Sequence, residues 1–372
     1  MNTKSLRILC SILLLVIIVF AVYKGSKGNE ASGDIKIGGI LIMSGGGAAW
    51  GDGSKSGMQM AVEDINKNGG VNGRKLSLVL EDDAGDPKKA ISAFSKLTNS
   101  DGAKFIIGPN WSNSGLALVD LAKNNKAVLI SPTLGVKEFN EGSENIFNTW
   151  PHDFILSRNI ADYVYKKGYR NVAIFGLQDS WVYDQTKNFK ERFEELGGKV
   201  ALVYEPQATE TDMRAGITKV KADKSIDAII MTVAGYSQSH IMPQQIRSLS
   251  VNLPIFSVNI DKKSIHDCGA ACEDMIFLSY FTPNKQFEAK YKAKFGAEVL
   301  IGADSSYDAV MLLAKAMTET KSTDVASVSK YLNAVKEYDG MSGNLKSDGK
   351  RAFIKPYTVN RVMKGEPVAI VE

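Results

Sequence analysis

The stretch IKIGGILIMSGGGAAWGDGSKSGMQMAVEDINKNGGVNGRKLSLVLEDDAGDP, Ile35 to Pro87, decides the fold. Ile35 to Met43 is a largely aliphatic run, short enough for a buried strand. A small-residue turn, Ser44 to Gly53, follows it. Met58, Ala61, Val62 and Ile65 then recur at i, i+3, i+4 and i+7, one face of a helix. Gly69, Gly70 and Gly73 stop the helix and turn the chain. Leu76, Val79 and Leu80 supply the next strand. The first turn of this β–turn–α–β unit lies where open α/β sheets bind ligands.

The alternation continues outward. Pro87 to Leu97 reads as a helix, with Ala90, Ile91, Phe94 and Leu97 on one face. Phe105 to Ile107 is a strand ending in GPNWSNSG, Gly108 to Gly115, and a helix carries Leu116, Val119, Leu121 and Ala122. Ala127 to Ile130 is a strand ending in Ser131-Pro132-Thr133-Leu134-Gly135. Ile146 to Pro151 reads as an extended bridge, beyond which the pattern restarts. Strands are expected at Val172 to Phe175, Val200 to Tyr204, Ile226 to Thr232 and from Pro254, each set between helices. Helices return at Lys285 to Phe295, Ser305 to Glu319 and Asp324 to Lys336. Gly340 to Asp348 reads as hairpin-rich, and Ile354 to Met363 as a final strand. Strands alternating with helices predict parallel, doubly wound sheets. Two such halves with several crossings predict two lobes enclosing a cleft.

Composition narrows the function. The 372 residues suffice for two lobes. The 44% apolar and 23% charged content is that of a folded protein. A net charge of +4 without a basic stripe argues against nucleic acid as partner. Residues 1–33 differ: Lys4 and Arg7 precede an apolar run, Ile8 to Tyr23, so export is expected. The run fits either a cleaved signal, with a weak site at Ser26-Lys27-Gly28, or an uncleaved anchor holding the chain at a membrane. Cys10 is a poor lipid-attachment site, and Gly25 to Gly33 reads as a flexible tether. Cys268 and Cys272 are expected to form a small disulfide. With His266 they offer only three zinc ligands on one loop, too few for a metal site.

Several chemistries fail on spacing. A Walker loop needs lysine where Gly53-Ser54-Lys55-Ser56 has serine, and Gly45 to Trp50 ends on tryptophan where a dinucleotide fingerprint needs glycine. No nucleophile elbow accompanies the three histidines, His152, His240 and His266. Asp82-Asp83 fits a turn or cap better than acid chemistry. Trp50, Trp111 and Trp181 each fall in a turn just after a strand. Trp50 and Trp181 suit a ligand-facing wall, whereas Trp111 fits equally well under its own loop. Ser112 opens a helix, where a hydroxyl and free backbone N–H groups converge on an anion or simply cap the helix.

The chain from about Asp34 onward resembles the type I periplasmic solute-binding proteins of the leucine/isoleucine/valine-binding family. The resemblance is carried by Ser44-Gly45 with Trp50-Gly51-Asp52, AVEDINKNGGVNGRKLSLVLEDDAGDP, IIGPNWSNSG, ISPT, the Trp181 turn, and SSYDAV at Ser305 to Val310. It implies two Rossmann-like lobes with parallel central sheets joined by three crossover strands. Lobe one would comprise 34–149 and 281–352, and lobe two 150–280 and 353–372. It implies a non-enzymatic, extracytoplasmic monomer without cofactor that captures an amino acid and delivers it to an ABC permease. By position, Ser112, Thr133 and Gly135 match groups that hold a ligand's charged end, while Trp50, Trp181 and Tyr236 match aromatics around it. Asp261 lies near the acidic partner of the α-amine. Gly135 departs from the family pattern, where a hydroxyl residue is frequent. Trp181 replaces a usual tyrosine and Val182 a usual glycine. An alternative is a membrane-anchored ligand-sensing ectodomain signalling to a separate partner, since too little chain precedes Leu6 for a signalling module. A third, an α/β enzyme, lacks a catalytic constellation.

Overall fold

The computed structural model describes residues 33–281 and 283–370. The expectations for Ile8 to Tyr23, Cys10 and Ser26 to Gly28 lie outside the described residues. The first sheet consists of β1 (Ile35–Leu41), β2 (Leu76–Asp82), β3 (Phe105–Ile107), β4 (Val128–Ser131) and β5 (Ile146–Asn148), in the order β2-β1-β3-β4-β5. Every pairing in it is parallel. The second sheet contains β6 (Asn171–Phe175), β7 (Lys199–Tyr204), β8 (Ala228–Met231), β9 (Ile255–Ser257) and β10 (Ile276–Ser279). A small antiparallel sheet follows, made of β11 (Glu337–Gly340), β12 (Gly343–Ser347) and β13 (Phe353–Ile354). Two last strands, β14 (Thr358–Met363) and β15 (Glu366–Ala369), return antiparallel to the edge of the second sheet beside β10.

The chain thus passes between the two lobes three times, after β5, after β10, and between β13 and β14. Each large sheet carries apolar clusters on both faces, as a sheet wrapped by crossover helices must. In the first sheet, Ile37 and Ile107 face the helices Ala48–Lys67 and Ala303–Thr320, while Ile40 and Ile106 face Phe94 and Phe139. This is an α/β fold of two lobes with parallel central sheets. Among the described residues no helix is long and apolar enough to cross a membrane.

Some elements differ from the sequence expectation. The helix after β1 begins at Ala48, so Trp50, Gly51 and Gly53 lie on its first turns rather than in a loop. Close packing explains the glycines there. A Cβ on Gly51 would stand 1.8 Å from the Ile42 carbonyl oxygen, on Gly53 2.1 Å from that of Ile301, and on Gly57 2.0 Å from that of Ala303. The helical cost of glycine, about 1 kcal/mol each, is outweighed by this backbone contact with two neighbours. The bridge at Ile146 is partly a strand, because Leu129 to Ser131 offer it a free parallel edge. The helix expected after Gly115 is two short ones, Ser112–Leu116 and Val119–Asn124. The last strand is shorter than expected and pairs with an unforeseen neighbour, β15.

Candidate functional site

In parallel sheets all strand C-termini reach one edge, and loops there converge. In lobe one, the loops after β1, β3 and β4 meet on Asn110. Its Oδ1 accepts from Ile42 N–H at 3.1 Å, and its Nδ2 donates to Ser54 Oγ at 2.8 Å and Thr133 Oγ1 at 3.2 Å. Thr133 Oγ1 donates back to the Asn110 carbonyl at 2.9 Å. Ser131 Oγ donates to the Pro109 carbonyl at 2.6 Å and accepts from Leu134 N–H at 3.1 Å. These groups are buried and partnered, so the loops form one rigid shelf. The hydroxyl proton of Thr133 is committed to that shelf. Its methyl lies against Gly302, and its hydroxyl leaves no spare donor.

Ser112 is half-buried at the first position of Ser112–Leu116, and among the described residues its hydroxyl has no protein hydrogen bond. It does not cap the helix. Trp111 precedes it, 37% exposed, with its ring over Gly47 and Gly85. Trp50 is half-buried on the first turn of Ala48–Lys67, and its carbonyl borders Gly302, which abuts Thr133.

The facing edge of lobe two is aromatic and acidic. Asp179 caps Ser180–Glu195, its Oδ1 accepting from Trp181 N–H at 2.9 Å and Val182 N–H at 3.1 Å. The Tyr236 hydroxyl lies against the same carboxylate, and burial together with that charge pushes its pKa up. Trp181 is held at its other end by Asp153, whose Oδ2 accepts from the indole N–H at 2.7 Å. Asp153 Oδ1 accepts from the indole of Trp150 at 3.1 Å. A recess of about 420 Å³ bordered by Gln178, Asp179, Tyr183 and Glu205 opens at this edge.

Asp153 is the group that sequence reasoning missed. It begins the helix Asp153–Lys166 directly after the first crossing. Its backbone N–H donates to the Gly135 carbonyl at 2.9 Å, and its carboxylate occupies the space a side chain at 135 would need, 2.1 Å from the Cβ position. Burial pushes its pKa up to about 6, against the two indole donors that favour the charged form, with Asp184 adding to the rise. A signal for it existed: Gly135 lacks a side chain, and an acidic residue follows the Trp150-Pro151 crossing. Only the fold brings the two together. Asn110 was also overlooked, although it stands just past β3, after Gly108-Pro109, within a quoted motif.

Asp261 does not join this group by any hydrogen bond. It is exposed and caps Lys262–Cys268, with Oδ1 accepting from Ser264 N–H at 2.8 Å and Oδ2 from Ser264 Oγ at 2.7 Å. Asp82 similarly serves its turn, accepting from Met43 and Ala84 N–H. Cys268 and Cys272 form a disulfide with Cα atoms 5.8 Å apart. Among the described residues no group of three or more His, Cys, Asp or Glu could hold a metal ion.

A polar shelf on one lobe beside an aromatic wall on the other, linked through Asp153 to Gly135 and Trp181, suits capture of a small solute. The family profile described as "Periplasmic binding protein" matches residues 34–366. The chain is 28% identical over 342 residues to the Leu/Ile/Val-binding protein BraC3 of Rhizobium johnstonii, covering 90% of this chain and 89% of that one. It is similar to the branched-chain amino acid transporter substrate-binding protein LivJ of Streptococcus pneumoniae in complex with isoleucine. There the TM-score is 0.81 at 25% identity, covering 90% of this chain and 98% of that one. A solute-binding protein of Rhodopseudomonas palustris BisB5 in complex with 3,4-dihydroxy benzoic acid shares the fold, with a TM-score of 0.79 at 24% identity over 91% of this chain and 96% of that one. This chain belongs to the periplasmic binding protein family.

Proposed function

We propose that the protein captures an amino acid of the branched-chain type between its lobes and delivers it to an ABC permease. The observation that carries this reading is the pairing of two unlike edges: the Asn110–Thr133 shelf with the unpartnered Ser112 hydroxyl on one side, and the Trp181–Tyr236 wall on the other. Ser112 and the backbone of the Thr133–Gly135 loop would receive the carboxylate through charge-assisted hydrogen bonds. Trp50, Trp181 and Tyr236 would enclose the side chain. We take lobe one as 34–149 with 281–352, and lobe two as 150–280 with 353–372. Lobe closure then follows from solute contacts that only the closed form makes. The relatives' names support the solute class, and membership of the family supports an extracytoplasmic binding protein rather than an enzyme.

The test is a thermal-shift screen of the purified protein against the amino acids, small amides and aromatic carboxylates. Branched-chain amino acids are expected to raise the melting temperature, and Ser112→Ala to abolish the rise. A rise given only by 3,4-dihydroxybenzoate or its relatives would replace the amino-acid reading with an aromatic-acid one.

A further inference from the structure

We propose that Lys355 is a positioning residue for solute capture: its buried ammonium pins the first and third crossings to the start of the helix Ala303–Thr320, and so sets how the shelf and the aromatic wall face one another. The inference rests on the amino-acid reading above, and it gives Lys355 no contact with the solute.

Lys355 directly follows β13 and opens the third crossing. Its side chain and that of Asp304 have no exposed surface. A lysine this deeply buried needs partners for its charge and its donors. Nζ donates to Asp304 Oδ2 at 3.3 Å and to Ser305 Oγ at 3.2 Å. It also lies over the Trp150 ring, 4.8 Å from the centre. An ammonium has three N–H donors. Two oxygens and a ring face use them, so the group is fixed in place. Methionine would fill the same space as the stem and hold none of the three partners.

Those partners lead to both edges of the site. Asp304 and Ser305 follow Gly302, where a Cβ would stand 2.9 Å from the Thr133 methyl, so the carboxylate sits just behind the shelf. The Ser305 carbonyl accepts from Thr149 Oγ1 at 2.9 Å, which ties the first crossing to the same helix start. Trp150, the next residue, donates its indole N–H to Asp153, the carboxylate that also holds the Trp181 indole. Lys355 therefore reaches the shelf through Asp304 and the wall through Trp150. The second crossing joins by ring packing: Tyr280 stands edge-on to Trp150 at 6.0 Å and to Tyr357 at 6.4 Å, and its buried hydroxyl has no hydrogen-bond partner among the described residues. Ring packing tolerates sliding, whereas the directional contacts of Lys355 do not. Stability does not account for the pair, because desolvation offsets its attraction and an apolar pair of equal volume would serve as well. What it contributes is one arrangement of the crossings. Without it the lobes still fold, but the crossings sample several angles, and apparent affinity falls with the fraction that aligns shelf and wall.

The experiment compares wild type, Lys355→Met, and the double variant Lys355→Met with Asp304→Asn, each as the full chain. Amide hydrogen exchange is followed by mass spectrometry without solute, melting temperatures are recorded, and L-leucine is titrated by calorimetry. Lys355→Met leaves the Asp304 carboxylate buried and unpaired, and its melting temperature should fall. The double variant removes that charge and should melt close to wild type. Its amides in 149–153 and 355–358 should exchange about tenfold faster or more, with those of 128–135 unchanged, and L-leucine should bind about tenfold more weakly. Wild-type exchange and affinity in the double variant would overturn the proposal. So would a double variant that melts as early as Lys355→Met, or one that exchanges faster throughout both lobes, since the pair would then serve stability alone. Failure of wild type to bind L-leucine would overturn the amino-acid reading by itself: faster exchange confined to the two crossings would still support the pin, and its absence would overturn the pin as well.

Discussion

The strand-end edges of the two lobes are built by opposite means. On lobe one, neutral polar groups bond to one another: Asn110 ties Ile42, Ser54 and Thr133 into a shelf whose groups are buried and satisfied. On lobe two, aromatic rings are held by carboxylates, with Trp181 fixed by Asp179 at its backbone and by Asp153 at its indole. A satisfied network is rigid and insensitive to pH, whereas a buried carboxylate among aromatics is charge-sensitive. Rigidity therefore resides with lobe one and charge sensitivity with lobe two. Four predictions probe that contrast.

The largest effect should come from breaking the shelf. Asn110→Leu leaves the Ile42 amide and the Ser54 and Thr133 hydroxyls short of a partner, at about 1 kcal/mol or more for each. A loss of about 3 kcal/mol in urea unfolding is expected, with weakened binding. A loss under about 1 kcal/mol would show that the shelf is not the rigid element.

Next is the aromatic wall. Trp181→Ala removes ring contact area and one donor to Asp153, and should weaken solute binding by at least about tenfold while the unliganded protein stays folded. Titration of the variant checks this, and unchanged affinity would remove Trp181 from the site.

Third is pH. Folded Asp153 and Asp308 hold their protons to about pH 6, while unfolded aspartates release them near 3.8. The folded state thus binds more protons between these values, and stability contributed by these groups falls as pH rises through that window. Urea midpoints at about pH 4.5 and about pH 7 should differ less in Asp153→Asn than in wild type. Equal differences would place the ionisation cost elsewhere.

The smallest effect separates a cap from a ligand group. Asp261→Ala should cost about 1 kcal/mol through loss of the Ser264 bonds, and should leave solute affinity unchanged. A loss of affinity beyond that expected from stability would return Asp261 to the site.

The sequence made the alternation of strands and helices legible because apolar periodicity is local. It also made the strand-end loops at Ser112, Thr133 and Trp181 visible, because binding loops follow parallel strands. Gly51 and Gly53 read as part of a turn because helix propensity is local, whereas the backbone contacts that require them come from Ile42 at the strand end and from Ile301 far along the chain. Asp153 was invisible for the same reason. As the first residue of a helix it looks like an ordinary favourable helix-start charge. Its meaning comes from Gly135, Trp150 and Trp181, which only the tertiary fold gathers around it. Asp261, an acidic residue at the expected place in the chain, caps its own helix through Ser264.

The most direct test of the account is calorimetric titration of L-leucine into wild type and Ser112→Ala at pH 7.5, alongside their unliganded melting temperatures. The account predicts one solute per wild-type chain, a loss of at least about tenfold in affinity for the variant, and matched melting temperatures without solute. Equal affinities in the two proteins would contradict a solute site on the lobe-one shelf.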